Sequence, residues 1–227
     1  EKNGIQSWMA PGDIPVGEDY PEVIVTTFAY RYTQRPPTGI KGHKNVSILY
    51  CTLNRDQTRP LADPSRKHNA DIADDLNKWS KIVKQIDIWD YAATFASYFS
   101  PMPNLRVLPE DIKFLRDRNV HMLMIQANVL NPWNPEDFHA LRTYHWGKAL
   151  WNPDLDVNQT IREFVEGYYG KAAPAVMEYL AFRDKVHKKI NKIYPCFTQN
   201  APWISDKDII KSLEYIATNM IVNILGL

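Results

Sequence analysis

The chain has 227 residues, 44% of them hydrophobic and 23% charged, with a formal net charge of +1. That balance is of one globular domain, or one and a half, and excludes wholesale disorder. It also excludes a transmembrane helix, because no run approaches the roughly 20 uninterrupted apolar residues a bilayer needs, and it excludes a basic field for non-specific nucleic-acid binding. Cys51 and Cys196 are too few for a disulfide framework. The opening EKNGIQSWMAPG has no basic-then-apolar signal-peptide pattern. With 7 Trp and 12 Tyr against 9 Gly, the chain is rich in rings. These suit either core packing or stacking on the apolar faces of sugars.

Residues 1–20 are punctuated by Gly and Pro and carry no period. EVIVTTFAY (22–30) and NVSILYCTL (45–53) are short, β-branched and aromatic, and predict buried strands. Between them lies a loop with Pro36-Pro37. Ile72, Leu76, Trp79 and Val83 set a helical stripe within 69–83. IDIWDYAA (86–93) predicts a third strand, followed by a Pro-interrupted aromatic loop over 94–108. PEDIKFLRDR (109–118) carries helix signals at both ends. VHMLMIQAN (120–128) predicts a fourth strand, and Asn134-Pro135-Glu136 the start of a helix to about Leu150. Asp156 caps another helix, with Gln159 three residues on and Gly170 at its end. The chain is then helical from Pro174 to about Lys192. A last helix starts at Ser205 with Asp208 three residues on, and its final turns, IVNILGL, are apolar.

Strands and helices alternate to about residue 150 and helices follow alone. Alternation implies parallel strands, and the absence of an in/out pattern within them implies that both sheet faces are covered. About four strands are present where a closed (β/α)₈ barrel needs eight. The residues therefore fit either a small open α/β sheet or the second half of a barrel. The expected boundary lies at Asn152-Pro153-Asp154, giving a partial barrel over 1–153 and a helical region over 154–227.

In parallel α/β folds ligands bind beyond the carboxyl ends of the strands. Those ends carry Tyr30-Arg31-Tyr32, then Asn54-Arg55-Asp56 after Cys51, then Trp89-Asp90-Tyr91, then Gln126-Ala127-Asn128. Asp90 is the sharpest candidate: a carboxylate between two rings, which would exclude water, where a buried strand emerges. It suits either acid–base work or a structural cap. The tyrosines and Arg31 suit stacking and hydrogen bonding to a sugar, or anchoring a loop. Asn54, Arg55 and Asp56 read first as a polar loop. Gln126 and Asn128 suit hydroxyls or loop backbone. Trp133, alone among the nearby tryptophans, lies in a loop rather than a helix. Six His without metal-ligand spacing, and no CxxC, point away from a metal site. There is no nucleophile elbow, Walker loop or GxGxxG, and no cofactor is expected.

Five segments in order, TFAYRYTQRPP, NVSILYC, LNKWSKI, IWDYAATFASYFSPMPNLRVLPEDIKFL and KALWNPDLDVNQTIREFVEGYYGKAA, resemble a bacterial family, domain of unknown function 4838, now largely equated with glycoside hydrolase family 163. The resemblance spans about 20–182. It implies the second half, about four βα units, of a TIM-barrel-type glycosidase followed by C-terminal helices. It implies hydrolysis of N-acetylglucosamine-containing glycans of the endo-β-N-acetylglucosaminidase type, with the remaining half-barrel on the same polypeptide, and a secreted, periplasmic or cell-surface location. Trp89, Asp90 and Tyr91 match the family's Trp-Asp-Tyr; Tyr30 and Tyr32 match its Ala-Tyr-x-Tyr. The fourth strand departs from the pattern, with Ile125 where the family tends to carry a glutamate, and Arg59 stands for a histidine.

On this resemblance Asp90 and Tyr91 are the expected catalytic pair, with the substrate's 2-acetamido group as an internal nucleophile or a second carboxylate from the other half-barrel. Tyr30, Arg31, Tyr32, Asn54, Asp56, Trp89, Gln126, Asn128 and Trp133 are the expected substrate contacts. Two alternatives stand: a carbohydrate-binding barrel that has lost its acid, and an α-glucuronidase-like exo-hydrolase in which Arg31 or Arg55 faces a uronic carboxylate.

Overall fold

The computed structural model describes residues 20–96, 100–118, 120–127, 137–198 and 204–215. Its elements are β1 (Val25–Ala29), β2 (Val46–Cys51), α1 (Lys67–Trp79), β3 (Gln85–Tyr91), α2 (Val107–Arg116), β4 (Val120–Gln126), α3 (His139–Trp151), α4 (Val157–Tyr169), α5 (Ala173–Lys188) and α6 (Asp206–Glu214). They fall into two compact units. One holds the chain up to Arg55, Leu61–Tyr91 and Phe114–Gln126; the other holds Asp56–Pro60, Ala92–Lys113 and the chain from Ala127.

The first unit is built on a four-stranded sheet in the order β1-β2-β3-β4, every neighbouring pair parallel. Each strand is added beside the last with no reversal of direction. Such a sheet has no internal switch point, unlike the doubly wound sheets that bind nucleotides. Register pairs Ala29 with Tyr50, Tyr50 with Ile88 and Ile88 with Leu123, so these side chains share one face. There Ile48, Tyr50, Ile86 and Ile88 bury against Ile72, Leu76 and Trp79 of α1 and against Leu115. The helical stripe read from the sequence is thus the core contact, although α1 ends at Trp79: the next three residues form turns, with the Ile82 amide returning to the Trp79 carbonyl at 2.9 Å.

The opposite face differs from the expectation that both faces are covered. Phe28, Met122 and Met124 are 56%, 48% and 40% exposed. β2 and β3 are mostly buried along their length, whereas β1 and β4, the edge strands, are largely open. A continuous apolar run marks a strand as able to be covered on both sides, and does not say that the cover is present.

The second unit packs Leu141 of α3, Ile161 and Val165 of α4 and Val176 and Leu180 of α5 into a separate core. α3 thus packs with the helices that follow it, across the Asn152-Pro153-Asp154 segment. Local signals hold well here. The Asp156 carboxylate accepts the Gln159 amide at 3.0 Å. Gly170 ends α4 at φ +52, where a Cβ would be strained. Ser205 and Asp208 form a reciprocal capping box. The expected helix start at 134–136 and the apolar turns IVNILGL lie outside the described residues.

Candidate functional site

The carboxyl edge of the sheet separates the expected site residues into three groups, and strand alternation decides which residue joins which. Successive side chains on a strand point to opposite faces. Trp89 and Tyr91 therefore lie on the open face, and Asp90 on the helix-covered one.

On the open face the indole of Trp89 stacks on Tyr91, with centroids 5.9 Å apart and planes inclined by 16°. Phe28 leans on it at 6.3 Å. The indole Nε1 donates to Gln126 Oε1 at 2.7 Å, which fixes the Gln126 amide beside the ring. Trp89, Tyr91 and Gln126, picked out separately in the sequence, are one constellation. The Tyr91 hydroxyl bonds the neighbouring Cys51 thiol, whose pKa is raised by burial despite that bond. Further along the same face Asp87 accepts from Ser47 Oγ at 2.8 Å and from Gln85 Nε2 at 3.3 Å.

Asp90 is 1% exposed and Arg55 fully buried. Arg55 Nη1 donates to Asp90 Oδ2 at 2.8 Å, and the Thr52 hydroxyl donates to Oδ1. With both oxygens engaged and no open surface, the carboxylate ties the segment after β2 to the end of β3. Among the described residues Asp90 thus has the surroundings of a structural tie, the second of the two roles its position suits. A buried charge is tolerated when it is paired and hydrogen-bonded, and here the pair spends both members on structure. Arg55 is for the same reason not available to a uronic carboxylate. Asp56 also moves out of the expected substrate contacts: it is buried and its Oδ1 accepts the Thr58 amide and hydroxyl and the Tyr194 amide within the second unit.

The third group opens on the helix-covered side. Arg31, Tyr32 and Asn54 line a cleft of about 350 Å³ with Gln34, Arg35, Tyr50, His68, Asp71 and Asp75. Arg31 follows β1 in a short 3₁₀ turn with φ +52, and its guanidinium lies 5.2 Å above the Tyr30 ring. That pairing makes Tyr30 a support for Arg31. In the cleft the Tyr50 hydroxyl donates to Asp75 Oδ2 at 3.2 Å. Burial, and then Asp75, push the Tyr50 phenol far up from its ordinary pKa, while burial raises Asp75. Asp71 is held down by the Lys67 ammonium, 2.5 Å away. Asp71, Asp75 and His68 were not singled out by the sequence, because a polar helix face reads as solvated. The available signal was their spacing: 68, 71, 72 and 75 fall on one side of a helix.

Asn128 and Trp133 lie outside the described residues. Among the described residues no three His, Cys, Asp or Glu side chains are grouped to hold a metal ion.

The fold defines a parallel α/β protein in which strands and helices alternate, with the candidate site residues at the carboxyl ends of the strands. The chain belongs to the family described as domain of unknown function DUF4838, which matches residues 15–181. No curated protein and no solved structure matches it.

Proposed function

We propose that this protein is part of a glycoside-hydrolase-like barrel that acts on N-acetylglucosamine-containing glycans, with the sugar seated on Trp89, Tyr91 and Gln126. The observation that carries this reading is the Trp89 ring stacked on the buried Tyr91 with Gln126 fixed beside it, at the carboxyl edge of a parallel sheet face whose edge strands are open. Stacked rings take the apolar face of a pyranose, and an amide beside them takes its hydroxyls or acetamido group. The unreversed strand order and the exposed Phe28, Met122 and Met124 support a half-barrel whose inner face is closed by further β/α units of the same polypeptide. A secreted, periplasmic or cell-surface location accompanies this reading. No helix among the described residues is long and apolar enough to cross a membrane.

Glycoside hydrolysis ordinarily uses two carboxyl groups flanking the bond. Asp90 serves as a positioning residue in this proposal, so the acid comes from the remaining units, while Tyr91, whose hydroxyl bonds Cys51, supports the Trp89 ring from behind. A second reading, a barrel that binds glycan without cleaving it, is favoured by the closure of Asp90 and by Ile125 at the end of β4. Incubating the full-length polypeptide with a labelled complex N-glycan separates the two. Released reducing N-acetylglucosamine ends support hydrolysis; saturable binding with no product supports the second reading; neither binding nor product defeats both.

A further inference from the structure

The cleft lined by Arg31, Arg35 and Tyr32 lies on the opposite side of the sheet from the Trp89 platform, and its charges are unevenly committed. Asp71 already takes the Lys67 ammonium at 2.5 Å, and Asp75 accepts the Tyr50 hydroxyl. Neither Arg31 nor Arg35 makes a side-chain hydrogen bond or ion pair among the described residues. Both arginines thus border a cleft of about 350 Å³ with no guanidinium hydrogen bond to protein, Arg35 acting on Asp71 and Asp75 through charge alone. The planar fork of an arginine matches a carboxylate in two parallel hydrogen bonds. At the rim Tyr32 is 91% exposed, which leaves its ring open to a pyranose face. The two aspartates retain lone pairs that accept hydroxyl donors, and they disfavour a dianion more than a monoanion.

We propose that this cleft is a second sugar site and binds a carboxylate-bearing sugar, of the uronic or sialic acid class, through Arg31 and Arg35 with the ring on Tyr32. The inference rests on the sugar reading above for the ligand's general class alone; the carboxylate comes from the arginines. The backbone of Arg31 is in keeping with a purpose. A non-glycine residue at φ +52 is strained. It is held there by the Tyr30 amide donating to Thr33 Oγ1 at 3.2 Å and by the Thr33 hydroxyl donating back to the Tyr30 carbonyl at 3.0 Å.

Calorimetric titration of the full chain tests this with glucuronate, N-acetylneuraminate, glucose, acetate and inorganic phosphate. Binding of either acidic sugar, at least tenfold tighter than glucose, acetate or phosphate, is expected, and the tighter acid identifies the source. Arg31→Gly is the informative variant, because glycine takes φ +52 without strain and removes the guanidinium without endangering the fold. It is expected to weaken acidic-sugar binding at least tenfold. Absence of binding by both acids, equal binding of glucose, acetate or phosphate, or undiminished affinity in Arg31→Gly overturns the proposal. An N-acetylglucosamine oligosaccharide titrated in parallel keeps the readings apart. If it binds and the acids do not, only the second site fails; if the acids bind and it does not, only the Trp89 platform fails.

Discussion

Both faces of the sheet carry large apolar side chains, and these have different fates. On one, Ile48, Tyr50, Ile86 and Ile88 are sealed by α1; on the other, Phe28, Met122 and Met124 stay open to solvent. At the carboxyl edge the contrast repeats within three consecutive residues. Asp90 is buried with Arg55, and Trp89 and Tyr91 are stacked on the open side. What separates structure from candidate function here is the side of the sheet on which a residue falls. Polarity does not separate them, since the most polar residue of the triplet is the structural one.

Substitutions on the two sides should therefore differ in kind. Asp90→Ala strands a buried guanidinium, and the expected loss is about 3–5 kcal/mol of folding stability by chemical denaturation. The double variant Arg55→Met/Asp90→Leu should recover most of it. A loss below about 1 kcal/mol in the single variant would mean that the pair is hydrated and Asp90 is open after all. Leu76→Ala, under the covered face, should cost about 2–5 kcal/mol, and Met124→Ala, on the open face, under about 1 kcal/mol. Equal costs would show that the open face is covered in solution.

The second unit offers a sharper burial test. His145 is fully buried, and burial, with Arg106 adding to it, lowers its pKa to about 4. His187 is displaced in the same direction by burial, Arg183 and Arg142. The folded state thus resists a proton that the unfolded chain binds below its ordinary value near 6.5. Stability should fall as pH drops from about 6.5 toward 4 and level off below that for this group, a loss of roughly 3 kcal/mol from His145. In His145→Phe the part of the pH dependence in that window due to His145 should vanish. An unchanged slope would contradict its burial as a neutral ring. The smallest effect is expected at Asp156→Ala, where losing the cap of α4 should cost about 1 kcal/mol; no change in denaturation midpoint would remove that cap from the account.

Much of this architecture was legible because local and global signals agree. The cores of β2 and β3 are β-branched runs, Ile72, Leu76 and Trp79 have one helical face to bury, and Asp156, Gly170 and Ser205 act within four residues of themselves. What was not legible depended on distance. Nothing near Asp90 in the chain announces Arg55, 35 positions earlier, as its partner. Alternation does imply that Trp89, Asp90 and Tyr91 cannot share a face, so the triplet was separable in principle; only register shows which side the helices take. The open face looks like core in the sequence because Phe28, Met122 and Met124 are core-type residues awaiting a cover. Arg31, Tyr32 and Asn54 were found as strand-end residues, while Asp71 and Asp75 joined them only when α1 was set beside β2.

The central claim is that the open carboxyl edge at Trp89 receives the sugar. Calorimetric titration of an N-acetylglucosamine oligosaccharide into the wild-type chain and into Trp89→Ala tests it most directly. A stacked ring is worth roughly 1 kcal/mol, so the account predicts binding to the wild type and at least about a fivefold loss in the variant, measured below the denaturation midpoint of each protein. Equal affinity in the two proteins, or no binding to the wild type, would contradict it.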